Sequence, residues 1–232
     1  MNRKICIIPA RGGSKRIPQK NIKNFLGKPI IAYSIEAAVT SRIFDEVMVS
    51  TEDEEIATIA KEFGAEVPFM RSVENANDTA TTIEVILEVL STYKRREQLF
   101  DFGCCLYPTA PFVNCNLLQS TFQLLRDNNY DSCFPILKYS SPIQRSLKMT
   151  NENKVEMFYP EHLNSRSQDL EAAYHDAGQY YWFKTNAIEE KKNLWTNNSG
   201  YTLLSELDAH DIDNPEDWKV AEFKYNWSLK NE

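Results

Sequence analysis

Short apolar runs alternate with amphipathic segments of helical spacing over the first 140 residues, and this alternation limits the possible folds. The runs suited to buried strands lie at 4–10, 45–51, 100–108 and 130–139, with a short strand expected at 65–70. The segments with helical periodicity lie at 29–41, 53–64, 78–94 and 116–128, and Asp78 or Thr79 is expected to cap the third. This order predicts a mostly parallel, doubly wound α/β sheet with helices on both faces.

The pattern changes after residue 139. Residues 140–175 lose the long helical periodicity and contain strand-like pieces at 145–150 and 154–160, which predicts an inserted antiparallel lobe. The later segments are predicted as a strand and short helix at 178–188, a strand at 201–207 and a helix at 214–227 with Asn214 as N-cap and Pro215 as N1. We therefore expect one domain, 1–232, with a lobe at 140–175.

Composition is that of a globular protein, with 42% hydrophobic and 25% charged residues in 232. No apolar run approaches the ~20 residues of a membrane span, and no secretory signal pattern opens the sequence, so a cytoplasmic protein is expected. The five cysteines include no C-x-x-C pair, and four lie in predicted strands. They indicate structural thiols rather than disulfides or a thiolate zinc site.

The charge is distributed unevenly along the chain. The formal net charge of −7 argues against a nucleic-acid-binding protein, yet residues 1–35 contain eight Lys or Arg and no Asp or Glu. The remaining residues carry 18 basic and 33 acidic side chains. A basic segment in an acidic protein favours one concentrated anion site.

The basic loop "ARGGSKRIPQK" (10–20) follows the first predicted strand, where ligands bind in open α/β sheets. Glycines allow close approach of the backbone, and successive N–H groups bind anions. The glycine spacing fits neither a Walker P-loop nor a dinucleotide fingerprint, which disfavours an NAD-dependent oxidoreductase. Arg11, Lys15 and Lys20 fit a triphosphate that is held and then released as pyrophosphate.

A second polar motif, "HDIDNPED" (210–217), lies near the other end of the sequence. Asp211 and Asp213 point the same way in an extended segment, and carboxylate oxygens suit Mg²⁺. The alternative is an acidic turn that caps the last helix, but Asn214 fills that role. A polyphosphate loop in the same chain strengthens the metal interpretation, because polyphosphates normally arrive with Mg²⁺.

Five motifs in fixed order carry a family resemblance: "IIPARGGSKRIPQKN", "STEDEEIATIAKEFGAEVPFMR", "NDTATT", "LYPTAPF" and "DIDNPEDW". Together they resemble the cytidylyltransferases that make CMP-activated sialic acids. Within that family, "RSQDLEAAYHDAGQYYW" (166–182) most resembles the pseudaminic acid enzymes. The resemblance implies a three-layer, Rossmann-like nucleotide-diphospho-sugar transferase fold, CTP and a nonulosonic acid as substrates, Mg²⁺ as cofactor and a homodimer joined through the lobe.

The resemblance also implies roles for particular residues. The loop residues that match the CTP-phosphate motif are Arg11, Gly12, Gly13, Ser14, Lys15 and Lys20. The residues that would surround the cytidine are Asn21, Arg71, Asp78 and Thr79. Asp211 and Asp213 match the Mg²⁺-binding D-x-D, and catalysis is assigned to Arg11, Lys20 and Asp211.

The predicted sugar-binding residues are Tyr107, Thr109, Arg166, His175, Asp176 and Gln179. Tyr107 replaces a glutamine of the sialic acid pattern, Val113 replaces an arginine, and His175-Asp176 replaces Arg-Pro. These departures favour pseudaminic acid over N-acetylneuraminate as the acceptor. CMP-N-acetylneuraminate synthesis, CMP-Kdo synthesis and a non-catalytic nucleotide-binding regulator stay open as alternatives.

Overall fold

The computed structural model describes residues 2–230, which form one main sheet, two small two-stranded ribbons and six α-helices. The strands are β1 (Lys4–Pro9), β2 (Asn24–Phe25), β3 (Lys28–Pro29), β4 (Glu46–Ser50), β5 (Phe102–Leu106), β6 (Ser132–Lys138), β7 (Leu147–Met149), β8 (Val155–Met157), β9 (Tyr174–Asp176), β10 (Tyr180–Lys184) and β11 (Ser199–Leu203). The helices are α1 (Ile30–Ser41), α2 (Glu54–Glu62), α3 (Thr82–Arg95), α4 (Cys115–Asp127), α5 (Thr185–Lys191) and α6 (Pro215–Leu229).

The main sheet has the strand order β11-β6-β10-β5-β1-β4, with β9 also paired to β6. β1 runs parallel to β4 and β5, and β11 runs parallel to β6. β10 lies antiparallel between β5 and β6, and β9 continues along the same edge of β6. The predicted mostly parallel α/β fold is confirmed.

Alternate residues of the central strand β1 point to opposite layers. Cys6 and Ile8 pack in the cluster that contains α1 and α4, whereas Ile5 and Ile7 pack in the cluster that contains α3 and α5. Complete burial on both faces explains why the run reads as continuously apolar rather than alternating. The result is the predicted three-layer arrangement.

A third apolar cluster joins the loop after β1 to the last helix. Ile17 of the loop, Phe25 of β2 and Ile212 are fully buried there, with Trp218 of α6 beside them. Trp218 packs edge-on against Phe25, with ring centroids 5.5 Å apart. This cluster holds two segments that are distant in sequence against each other.

Two local predictions about secondary structure were wrong, and one hairpin was missed. Thr81, not Asp78 or Thr79, caps α3 in a capping box with Glu84, because the backbone N–H and hydroxyl of Thr79 are bound to the side-chain oxygen of Asn77. The expected strand at 65–70 is reduced to one bridge between Glu66 and Met48. The β2–β3 hairpin, with Gly27 at a φ of 110°, was not predicted.

Residues 140–173 leave the main sheet, whereas Tyr174 and His175, the last two residues of the segment predicted as a lobe at 140–175, pair with β6 as part of β9. β7 and β8 pair antiparallel as a separate ribbon, flanked by 3₁₀ turns at 143–145, 160–162 and 167–169. No helix in residues 2–230 has both the length and the apolar composition needed to span a membrane.

Candidate functional site

The loop after β1 and the segment before α6 meet at the carboxyl-end edge of the sheet. Ile212 is fully buried in the third cluster, and Asp213 on one side of it reaches back to the loop. The Lys20 ammonium donates to the Ile212 carbonyl oxygen at 2.7 Å. Arg16 donates to Asp213 Oδ1 at 2.9 Å, and the Lys20 nitrogen lies 3.9 Å from the same oxygen. The two halves of the site predicted from sequence are therefore brought together.

The charges at this junction affect one another. Partial burial raises the pKa of Asp211, and the neighbouring Asp213 carboxylate raises it further. Burial lowers the pKa of Lys20, while Asp213 and Asp211 oppose that effect. The two carboxylates thus repel one another beside the half-buried ammonium of Lys20. A further cation would reduce this repulsion.

Asp78 holds two cations of the loop. Arg11 donates to Asp78 Oδ1 at 2.6 Å, and Lys15 pairs with the other carboxylate oxygen. These hydrogen bonds lower the pKa of Asp78. Arg11 and Lys15, predicted to bind phosphate, converge with Asp78 on one point of the loop.

The first glycine of the loop faces an acidic residue that the sequence reading missed. Gly12 donates its N–H to Glu52 Oε1 at 2.7 Å, and the second oxygen of Glu52 is buried without a partner. A Cβ at position 12 would collide with the carboxylate of Asp53, whereas one at Gly13 would meet nothing within 4 Å. The signal available was position, because Glu52 lies two residues beyond the end of β4, the strand beside β1.

Ser14 and Asn21 fix the shape of the loop. The Ser14 N–H donates to the Gly12 carbonyl at 2.9 Å, and the buried Asn21 side chain donates to the Arg11 carbonyl at 2.9 Å. Lys20 and Asn21 are the first two residues of the 3₁₀ turn Lys20–Ile22. The Asn21 amide therefore holds Arg11 in place from behind.

Arg71 lies buried under the same edge of the sheet. Its Nε donates to Ser50 Oγ at 3.1 Å, and a terminal nitrogen donates to the Ser50 carbonyl. Burial lowers the pKa of Arg71, while the nearby Glu52 opposes that effect. Glu52 therefore acts on both Gly12 and Arg71, because it accepts from the Gly12 N–H and its charge influences Arg71.

The predicted sugar side forms around the start of β10. The Tyr107 N–H donates to the Gln179 carbonyl at 2.9 Å, next to the end of β5. Asp176 accepts from the Gly178 N–H at 2.9 Å and from the Tyr181 hydroxyl. Gly178 has a φ of 63°, and a Cβ there would lie 3.5 Å from the Asp211 carboxyl carbon. The turn that holds Asp176 therefore packs against Asp211.

Two more predicted residues surround this turn. The His175 ring lies 4.8 Å from the ring of Tyr139, and its Nδ1 donates to the Asp176 carbonyl at 2.9 Å. Gln179 is buried, its amide nitrogen lies 3.3 and 3.4 Å from two carbonyls, and its side-chain oxygen has no partner. Thr109 lies just beyond the end of β5, half-buried.

Arg166 and Val113, which were both compared with the sialic acid pattern, lie apart from this cluster. Arg166, in the lobe, makes a two-pronged pair with Asp169 at 2.7 and 3.1 Å. Among residues 2–230, no ion pair joins Arg166 to the other predicted site residues. Val113 is buried in the core cluster that contains α1 and α4.

Within the described chain, no three His, Cys, Asp or Glu side chains lie close enough together to hold a metal ion. The Asp211 and Asp213 pair is the remaining candidate for a shared metal, with other ligands to come from substrate or water. The mutual repulsion of these two carboxylates is consistent with that interpretation.

Comparisons with known proteins agree with the geometry. The cytidylyltransferase family matches residues 5–211. The chain is 42% identical over 221 residues to pseudaminic acid cytidylyltransferase of Campylobacter jejuni subsp. jejuni serotype O:23/36 (strain 81-176), with 95% of each protein covered. It is 32% identical to CMP-N,N'-diacetyllegionaminic acid synthase of Legionella pneumophila subsp. pneumophila (strain Philadelphia 1), with 94% of each covered.

A solved structure supports the fold independently. The CMP:2-keto-3-deoxy-manno-octonic acid synthetase complexed with CTP has a TM-score of 0.70 and 16% identity, and the likeness covers 99% of this chain and 100% of that one. The family match spans both the basic loop and Asp211. The chain belongs to the cytidylyltransferase family and is a nucleotidyltransferase.

Proposed function

We propose that the protein transfers CMP from CTP to the anomeric hydroxyl of pseudaminic acid and releases pyrophosphate. The observation that carries the proposal is the junction between the basic loop and the aspartate pair, where Lys20 is bonded to the Ile212 carbonyl. Such a junction sets triphosphate-binding and metal-binding groups side by side. The 42% identity to a relative named for this reaction supports the choice of substrates.

The basic loop holds the triphosphate in this proposal. The Gly12 N–H, Arg11 and Lys15 are donors that the protein's own acids, Glu52 and Asp78, engage in the described structure. Phosphate oxygens are the same kind of acceptor and would take over these donors when CTP binds. The loop is shaped in advance for the nucleotide, because Asn21 fixes the Arg11 carbonyl.

Transfer itself is an in-line displacement. The anomeric oxygen of the sugar bonds to the α-phosphorus, the bond from that phosphorus to the bridging oxygen of the β-phosphate breaks, and the hydroxyl proton passes to solvent. Arg11 and Lys20 neutralise the charge that grows on the departing pyrophosphate. Positioning and charge neutralisation account for catalysis of this type with little covalent help from the protein.

Asp211 and Asp213 would hold Mg²⁺. Two carboxylates two residues apart supply part of an oxygen ligand set, and phosphate oxygens and water complete it. When bound, the ion would supply charge to the phosphates and lower the pKa of the attacking hydroxyl. Lys20, which contacts the same segment, keeps the phosphate chain next to the aspartate pair.

The preference for pseudaminic acid rests on the residues around β10. Tyr107, His175 and Asp176 differ from the Gln and Arg-Pro of the neuraminate pattern, and the turn that holds Asp176 lies beside Asp211. These changes leave the basic loop and the aspartate pair intact. The acceptor, rather than the nucleotide, is therefore what distinguishes this chain from the neuraminate enzymes.

We also propose that the protein is a homodimer joined through residues 140–175. The ribbon of this lobe exposes several apolar side chains that no other part of the described chain covers: Leu147, Met149, Val155, Phe158 and Leu163. Met149 is 89% exposed, which is costly for an isolated monomer. Sedimentation of the purified protein tests this point, and a monomer at micromolar concentration would contradict it.

The reaction is tested by measuring pyrophosphate release with CTP, Mg²⁺ and a panel of acceptors. The panel contains pseudaminic acid, N-acetylneuraminic acid and 2-keto-3-deoxy-manno-octonic acid, with UTP in place of CTP as a nucleotide control. We expect the highest kcat/KM with pseudaminic acid and CTP. Binding of CTP without pyrophosphate release for any acceptor would support a non-catalytic regulator instead.

A further inference from the structure

Four hydroxyl and carboxyl side chains lie between the start of α3 and the turn beside Asp211. The Thr82 and Tyr107 hydroxyl oxygens lie 3.2 Å apart, and the Tyr181 hydroxyl donates to Asp176. The Tyr107 and Tyr181 rings meet edge-on, with centroids 5.7 Å apart. Tyr181 therefore contacts both Asp176 and the aromatic ring that follows β5.

The direction of the bond between Tyr181 and Asp176 follows from the chemistry of the carboxylate. A carboxylate only accepts hydrogen bonds, so Tyr181 donates its single hydroxyl proton to Asp176. Burial raises the pKa of Tyr107 to about 12 and that of Tyr181 further, so both phenols keep their protons at ordinary pH. Tyr181 therefore holds one oxygen of Asp176 in place.

Asp176 is therefore held as an acceptor at a fixed position. Its two oxygens are bound separately, Oδ1 by the Gly178 N–H at 2.9 Å and Oδ2 by Tyr181. Each carboxylate oxygen has a second lone pair, and the residue is only partly buried. The nearby Gln179 adds a buried side-chain oxygen with no partner. Asp176 thus presents an acceptor and no donor on this side of the site, whereas the side chain of Gln179 is enclosed by protein.

From this geometry we infer that Asp176 accepts a hydrogen bond from an N–H or O–H group of the acceptor sugar, and that Tyr181 is a positioning residue that acts through Asp176. The inference rests on the proposed function and refines it. The Asp176 turn packs against Asp211 through Gly178, which places a sugar bound there next to the reacting phosphate. Asp176 then selects acceptors that carry a donor at the matching position.

The test uses the variants Asp176→Asn and Tyr181→Phe, their double variant, and Tyr180→Phe as a matched control. Tyr180 is also a buried tyrosine of β10 with a hydrogen-bonded hydroxyl, but it bonds to Thr121 at 2.7 Å on the opposite face of the sheet. KM is measured separately for pseudaminic acid and for CTP, at saturating concentrations of the other substrate and of Mg²⁺.

We expect Asp176→Asn to raise KM for pseudaminic acid about tenfold or more, because a donor replaces an acceptor at a site of polar recognition. KM for CTP should stay within about twofold. Tyr181→Phe should raise KM for the sugar by a smaller factor, and the double variant should match Asp176→Asn alone, since Tyr181 acts through the same carboxylate. Tyr180→Phe should leave both constants unchanged.

Several outcomes would overturn the inference. An unchanged sugar KM in Asp176→Asn, or a parallel rise in the CTP KM, would remove Asp176 as an acceptor-specific residue. If the double variant raised the sugar KM by the product of the two single factors, Tyr181 would act independently of Asp176. If Asp176→Asn fails to fold, the sugar KM of Tyr181→Phe tests the inference, and an unchanged value would overturn it. Failure of the proposed function is distinct, because the unmodified protein would then release no pyrophosphate with any acceptor.

Discussion

The Lys20 ammonium donates to the Ile212 carbonyl oxygen at 2.7 Å across 192 residues of sequence. This bond ties the basic loop after β1 to the aspartate segment before α6. Ile212 is anchored in the apolar cluster beneath, so the bond has a rigid end on the acidic side. The same ammonium lies 3.9 Å from Asp213.

Replacing Lys20 is therefore expected to impair turnover. Lys20→Met should lower kcat/KM for CTP by about 100-fold, in the range found for the loss of one charged transition-state contact. Lys28→Met is a matched control, because Lys28 is similarly half-buried but pairs with Glu36 away from the site. Steady-state kinetics with pyrophosphate detection measures both. Equal effects of the two variants would rule out a special role for Lys20.

Asp211→Asn should abolish turnover yet raise the melting temperature near neutral pH. The folded protein raises the pKa of Asp211 above its usual 3.8, so between that value and the raised one the unfolded chain loses the proton first. Ionisation therefore penalises the folded state as pH rises through this window. The stabilisation of Asp211→Asn should be complete above the window and vanish below about pH 3.8.

Thermal unfolding with and without Mg²⁺ provides the companion measurement for Asp211. Added Mg²⁺ should raise the melting temperature of the unmodified protein, because a ligand that binds only the folded state stabilises it. The same addition should have little effect on Asp211→Asn. An equal Mg²⁺ response in both proteins would contradict the metal assignment of Asp211, whatever the activities are.

The two glycines of the loop should respond differently to alanine. Gly12→Ala places a Cβ against the Asp53 carboxylate, which caps α2 through bonds to the Glu55 and Ile56 N–H groups. Displacing this cap should cost about 1 kcal/mol of unfolding free energy. Gly13→Ala meets nothing within 4 Å and should stay within about 0.5 kcal/mol of the unmodified protein. Urea unfolding compares the pair, and the opposite ranking would refute the steric account.

Thiol reactivity should be limited to one cysteine in the folded protein. Cys115 is half-buried at the start of α4, whereas Cys6, Cys104, Cys105 and Cys133 are buried. Burial raises the pKa of Cys133 to about 11 and that of Cys105 further, which keeps both thiols protonated at about pH 8. A thiol reagent should modify one site per chain before unfolding and all five cysteines after it.

The sequence pattern predicted the fold class, but it did not predict the cap of α3 or the pairing partners of β10. Fully buried strands such as β1 and β5 are visible as continuous apolar runs. The cap of α3 was misassigned because Asn77, two residues before Thr79, binds the groups that would have formed the cap. The position of β10 between β5 and β6 could not be predicted, because local sequence does not specify which strands pair.

The candidate site likewise contains residues that were predicted from the sequence and residues that were not. Arg11, Lys20, Asp211 and Asp213 were found because their charges stand out in short motifs, and the structure brings them together. Glu52 was missed because it lies between the predicted strand at 45–51 and the predicted helix at 53–64, although its side chain accepts from the Gly12 N–H. The role of Asp78 as partner of Arg11 and Lys15 depends on a loop conformation that spacing alone does not reveal.

The antiparallel placement of β10 has a consequence for biosynthesis. Residues 180–184 fill the gap between β5 and β6, so a nascent chain that ends before them carries two unpaired strand edges in the middle of its sheet. Such edges are prone to aggregation, and pairing over long sequence separations is slow. The first three quarters of the chain should therefore depend on chaperones on the ribosome, and C-terminal truncation before residue 180 should yield insoluble protein rather than a smaller folded domain.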